Sequence, residues 1–225
     1  MAYFDKDFLK FFKDLAAHNN RDWFHENKKR YEKSVKEPFA VFVQDLINEI
    51  KKEDPLLDIE PKQAIFRINR DIRFSKDKTP YKTNISAAIA PGGRKSMNIP
   101  GLYIQLDPEH TRIYGGVYQP DKAALEDIRY GIANDMDGFK KIVNSKKFVS
   151  HYEEITGEKY KRLPKDWVEL AEQQPYLYNK QFYYFAKLAP ETAIQDNLMD
   201  TVMEYYHAAD DIRGFFRNAL GVGQG

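Results

Sequence analysis

Gly101-Leu102-Tyr103-Ile104-Gln105-Leu106, then Asp107-Pro108-Glu109-His110, then Thr111-Arg112-Ile113-Tyr114-Gly115-Gly116-Val117-Tyr118, is the stretch that decides the fold. Leu102, Ile104 and Leu106 recur at every second position, the period of a half-buried strand. The four residues from Asp107 to His110 have turn chemistry, so the two flanking runs read as an antiparallel hairpin. Upstream, Ile85 to Ala90 reads as another strand, and downstream the aromatic run Phe182 to Leu188 reads as one more. Short connections between successive strands favour antiparallel pairing over crossover units. Ile65 to Phe74 also alternates, with Phe66, Ile68, Ile72 and Phe74 on one side and Arg67, Asn69, Asp71 and Arg73 on the other. Arg70 falls on the apolar side of that pattern.

Helical periodicity lies on both sides of this block. Phe8, Phe11, Phe12 and Leu15 mark a short helix over residues 5–18, with Asp5 as cap and Asn19-Asn20 as stop. A second helical region runs from about Arg21 to Lys52, with a kink or a new helix expected at Pro38. After the hairpin, Gln119-Pro120-Asp121 opens a helix with Leu125, Ile128 and Ile132 on its inner stripe. Met136–Val143, Lys146–Glu154 and Pro164–Gln174 are shorter helices. The final stripe (Leu198, Val202, Tyr205, Ala209, Ile212, Phe216, Leu220) predicts one long amphipathic helix. Helices, then strands, then helices give an α+β class. The expectation is a single domain over residues 1–220, with a mainly antiparallel, curved sheet covered by N-terminal and C-terminal helices, and a frayed tail at 221–225.

Composition narrows the function classes. The 225 residues contain no cysteine, which removes disulfides, thiolate metal sites and cysteine nucleophiles and fits a reducing cytoplasm. The longest apolar run, Phe39-Ala40-Val41-Phe42-Val43, is far short of the ~20 residues of a spanning helix. The amino terminus alternates charges with aromatics instead of following a signal-peptide layout. Neither membrane insertion nor secretion is expected. His18, His25, His110, His151 and His207 are scattered without the i, i+4 spacing of a zinc helix, so neither a metal nor a cofactor is expected.

The charge is balanced overall and lopsided locally. Between Lys62 and Lys95 nine basic residues face two acids, a surplus of seven in a chain of net +1, which leaves −6 for the rest. Such a window points to a local anion-binding surface. If residues 65–74 form a strand, Arg67 and Arg73 share a face with Asn69 and Asp71. Arginine supplies a planar fork for carboxylate or phosphate, and Lys76, Lys78 and Lys82 would add point charges from the adjoining loop. Arg70 needs an acid or a ligand, and Tyr81, with Tyr114 and Tyr118, would line the mouth or fill the core. The competing reading of the same residues is an internal ion-pair network, Arg67 or Arg73 with Asp71 and Arg70 with an acid from the helices.

Three pieces of sequence carry a resemblance. The run Phe66 to Thr83, the pair of segments Gly115-Gly116-Val117-Tyr118-Gln119-Pro120-Asp121 and Ile128-Arg129, and the early Trp23-Phe24, Asn27-Lys28 and Tyr31 together resemble the bacterial family called domain of unknown function 2461. The likeness extends over about residues 4 to 218. It implies a shared fold and motif and brings no catalytic role with it.

The resulting expectation is a cytoplasmic protein whose Arg/Lys-lined pocket takes a phosphorylated or carboxylated small molecule or a nucleotide. Arg67, Asn69, Arg70, Arg73, Lys76, Lys78, Tyr81 and Lys82 would form the site. The alternatives are an enzyme on a phosphorylated substrate with Asp71 as general base, a nucleic-acid binder, and a protein-interaction module.

Overall fold

The computed structural model describes residues 2–96 and 98–223; of the tail expected to fray, Gln224 and Gly225 lie outside the described residues. Helix α1 (Lys6–Ala17) starts where expected, because the Asp5 carboxylate accepts the amides of Asp7 and Phe8. Its Phe8, Phe11, Phe12 and Leu15 are completely buried. Helix α2 (Arg21–Glu26) is capped by Asn20, which accepts from the Trp23 amide at 2.9 Å. Helix α3 (Lys28–Tyr31) leads through a π-helical turn (Glu32–Lys36) into α4 (Glu37–Lys51). Pro38 sits in the first turn of α4, as expected, and the irregularity lies just before it. Proline has no N–H, and its ring would strike the carbonyl four residues back, so the backbone widens to a longer-range turn there.

Helix α5 (Pro61–Ala64) is a single turn closed by a capping box, in which the Glu60 amide donates to Gln63 Oε1 at 2.8 Å. The strand expected over 65–74 is not formed. That segment instead lies against residues 81–87, the first strand of the sheet and the chain just before it, at two isolated bridges, Ile65 with Ala87 and Asn69 with Tyr81. Three residues separate the bridges on one side and five on the other, so no regular ladder can run between them. Beyond Arg70 the chain leaves this ribbon, and Phe74, expected on an apolar face, is 96% exposed.

Strands β1 (Ile85–Ile89), β2 (Gly101–Leu106), β3 (Thr111–Val117) and β4 (Phe182–Leu188) form one antiparallel sheet in the order β1-β2-β3-β4. The hairpin between β2 and β3 is the expected one, and Asp107 makes its turn: Oδ1 accepts the amides of Glu109 and His110, each at 2.9 Å. Gly116 has φ +92°, and a side chain there would meet the Phe182 carbonyl. The paired glycines therefore mark a close approach of β3 to β4.

Helices α6 (Lys122–Asn134), α7 (Met136–Val143), α8 (Lys146–Tyr152) and α9 (Lys165–Gln173) follow the sequence pattern within two residues. The single C-terminal helix is a correction: the chain forms α10 (Leu198–Ala208) and α11 (Asp210–Ala219), broken at Ala209. Asp210 and Asp211 open the second helix, where acids suit the N-terminal dipole, and Arg213 takes the Tyr206 carbonyl at 2.9 Å. The residues divide into two compact units. One comprises the chain up to Arg94, Tyr103–Ile113 and Lys187–Met203; the other comprises Lys95–Leu102, Tyr114–Ala186 and the chain from Glu204 on. Strands β2, β3 and β4 give residues to both. In the second unit Phe182 and Tyr184 of β4 pack with Ile128, Ile132, Phe139 and Phe216 of α6, α7 and α11.

Candidate functional site

The basic segment is an ordered loop built by its own acids. Asp77 Oδ1 accepts the Thr79 amide at 2.9 Å, Asp71 Oδ1 accepts the Arg73 amide at 3.3 Å, and Lys78 Nζ donates to the Ile72 carbonyl at 2.9 Å. Arg70 donates to Asp77 and to Thr79, so the acid it was expected to find on the helices lies in its own loop. Arg73 forms a forked pair with Asp71, Nε to Oδ1 at 3.0 Å and NH2 to Oδ2 at 2.7 Å. These two arginines follow the ion-pair reading, each with an acid of its own loop as partner.

Electrostatics also bears on Asp71. The hydrogen bonds from Arg73, side chain first and then backbone, pull its carboxyl down to about 2. Asp77 is likewise held at about 2 by the Thr79 amide and by Arg70. A carboxylate so well stabilised is a poor proton acceptor near neutrality.

Four of the expected cations and polar groups keep free chemistry. Arg67 and Lys76 are exposed and form no ion pair among the described residues. Asn69 is exposed beside its bridge to Tyr81. Lys82 is half-buried, its Nζ 5.3 Å from the centre of the Phe66 ring. Burial, and then the neighbouring Arg67, push the Lys82 ammonium below its usual pKa. Tyr81 is a correction: it is buried, its ring stacked on Phe24 at 4.0 Å. Asn19 clips its backbone from both sides, at 2.9 and 3.1 Å. It fills the core below the segment and does not line an open mouth.

A family model described as a conserved hypothetical protein, domain of unknown function 2461, matches residues 7–215. The chain belongs to this family. No curated protein and no solved structure matches it. The match runs through the whole basic segment, the Gly115-Gly116 pair and Arg129, so all three belong to the family's own span.

Three further places in this family member were not singled out as sites by sequence. Asp107, Glu109 and His110 bring ligand atoms within 4.8 Å of one another. Arg112 already occupies that cluster, bonded to Asp107 and 3.1 Å from His110 Nδ1, so a guanidinium takes the place a metal would need. Ser150, His151 and Glu204 make a chain of contacts at 3.0 and 3.2 Å. His151 Nδ1 also lies 2.8 Å from the Lys147 carbonyl, which can only accept, so Nδ1 is a donor and has no lone pair for Ser150. A cavity of about 480 Å³ opens among Tyr3, Phe4, Lys33, Ser34, Pro38 and Ile194, none of them in the basic segment. Among the described residues no helix is long and apolar enough to cross a membrane.

Proposed function

We propose that this protein binds an oxyanion, a phosphorylated or carboxylated small molecule or a nucleotide, through a surface centred on Arg67 and Lys82. One observation carries the reading: among the described residues the half-buried Lys82 ammonium and the neighbouring Arg67 guanidinium form no ion pair, and Asp71, the acid that feels Arg67, is already held by Arg73 in a forked pair. Like charges brought together out of bulk water cost free energy that an anion would return. Arg70 and Arg73 then serve the loop, with Asp77 and Asp71 as their partners, and Asn69, Lys76 and Lys78 border the surface. The low pKa of Asp71 favours binding over general-base catalysis. The −6 carried by the rest of the chain favours a compact ligand over a long nucleic acid. The lack of cysteine fits a cytoplasmic setting.

The test is a titration with inorganic pyrophosphate at fixed ionic strength, followed by melting temperature and by the Lys82 ammonium resonance. The wild type should show a saturable rise, and Arg67→Gln/Lys82→Met should lose it while melting no lower than the wild type without ligand. The same rise in both proteins defeats the reading.

A further inference from the structure

Arg129, in the middle of α6, is 6% exposed. A guanidinium taken out of water normally sits against a carboxylate. Among the described residues no carboxylate forms an ion pair with it; Glu126, one turn earlier on α6 and exposed, acts on its charge only from a distance. Its Nε donates to the Leu177 carbonyl at 3.0 Å, its NH2 to the Asn179 carbonyl at 3.3 Å, and the Tyr160 ring centre lies 4.9 Å from its central carbon. Those contacts engage two nitrogens of a group with five N–H donors. The compensation is by dipoles and a π-face, which orient the cation without neutralising it.

Two neighbours add to the imbalance. Lys180 places its ammonium 5.1 Å from the same Tyr160 ring, so one phenol serves two cations. The acid on Lys180, Glu158, is 3.4 Å away and largely in solvent. Asn179, whose carbonyl holds Arg129, is fully buried and has an amide oxygen with no hydrogen-bond partner. The two cations are met only by exposed acids, Glu126 at a distance and Glu158 on Lys180, and the Asn179 amide oxygen is short of one hydrogen-bond donor.

We propose that Arg129 is the recognition group of an oxyanion site that takes a phosphate in its hydrogen-phosphate form, with Lys180 as the second cation. Phosphate oxygens accept the guanidinium N–H groups that the protein leaves open, and the P–OH supplies the donor that the Asn179 amide oxygen lacks. Sulfate has the same shape and no proton to give, so the site should prefer phosphate. Nothing here depends on Arg67 or Lys82, which share no residue with it.

The experiment uses the Arg67→Gln/Lys82→Met protein, so that the surface proposed above cannot contribute. Inorganic phosphate and inorganic sulfate are titrated separately in mildly acidic buffer at constant ionic strength, with the Arg129 Nε–H resonance and the melting temperature as readouts. The expected result is a saturable resonance shift at millimolar phosphate and several-fold weaker binding of sulfate. Lys180→Gln, a change on a half-exposed side chain, should weaken phosphate about threefold without lowering the melting temperature. This arm keeps the test independent of whether Arg129→Gln folds. No saturable shift at tens of millimolar phosphate, equal affinity for the two anions, or unchanged affinity in Lys180→Gln overturns the proposal.

Discussion

Arg73 and Arg129 are the same side chain under opposite conditions. Arg73 stands on an exposed loop, 76% accessible, and holds Asp71 in a forked pair. Arg129 is 6% exposed and has carbonyls and a phenol ring where an acid would be expected. Where water already stabilises the charge, an acid adds little, and its role is to shape the turn. Where water is excluded, the chain has given the charge no ion-pair partner among the described residues, only the distant Glu126, and has used its donors to tie α6 to the turn around Leu177 and Asn179. A cation without an acid is therefore more informative in the buried setting than in the exposed one, and the sequence's charge count points at the exposed one first.

The largest effect expected from this contrast is that of Arg129→Met. It keeps the stem, removes the charge, and leaves the Leu177 and Asn179 carbonyls without their donor. Two buried acceptors so stranded should cost about 3–4 kcal/mol, read as a drop in the urea midpoint. A loss near that of an exposed arginine would erase the difference between the two regions.

Next is Tyr81, which belongs to the core beneath the basic segment. Tyr81→Ala removes the stacked ring against Phe24 and should cost about 2–3 kcal/mol. Tyr81→Phe should change stability by less than ~0.5 kcal/mol and leave pyrophosphate binding as it is, since the ring does the packing. A loss of pyrophosphate affinity in Tyr81→Phe would return the hydroxyl to the site.

The elements legible in the sequence are those that local chemistry determines. Asp5, Asn20, Asp121 and Ser145 each cap the helix that follows, and the β2–β3 hairpin sits on the Asp107 turn. The alternation over 65–74 misled because an extended ribbon with two bridges has the same period as a strand, and the mismatch in spacing between the bridges depends on its partner residues. The break at Ala209 was hidden because the apolar stripe continues across it. The pairing of Arg70 with Asp77 required the loop to fold back seven residues. Arg129 stood in the sequence as part of the Ile128-Arg129 piece of the family resemblance, on an amphipathic helix, with nothing to mark it as buried. Its burial depends on carbonyls about fifty residues later in the chain, and no local pattern reports them.

The smallest effect concerns pH, and it separates the two arginines without removing either. Asp71 and Asp77 titrate in the folded chain at about 2, below the ordinary 3.8. A carboxyl whose folded pKa is depressed adds stability above its unfolded pKa and loses it as pH falls through the folded one. Asp71→Asn should therefore unfold slightly more easily than wild type at neutral pH. That gap should close as pH falls from about 4 to about 2, because the wild-type carboxyl is then protonated as well. Both groups are exposed, so the gap should be small throughout. The loss in Arg129→Met should stay constant over the same interval, since carbonyls and a phenol ring take up no proton there. Denaturant midpoints collected at several acid pH values distinguish the cases: a closing gap for Asp71→Asn beside a flat one for Arg129→Met supports the contrast. An Arg129 gap that also closed would mean that a carboxylate had been its partner in solution.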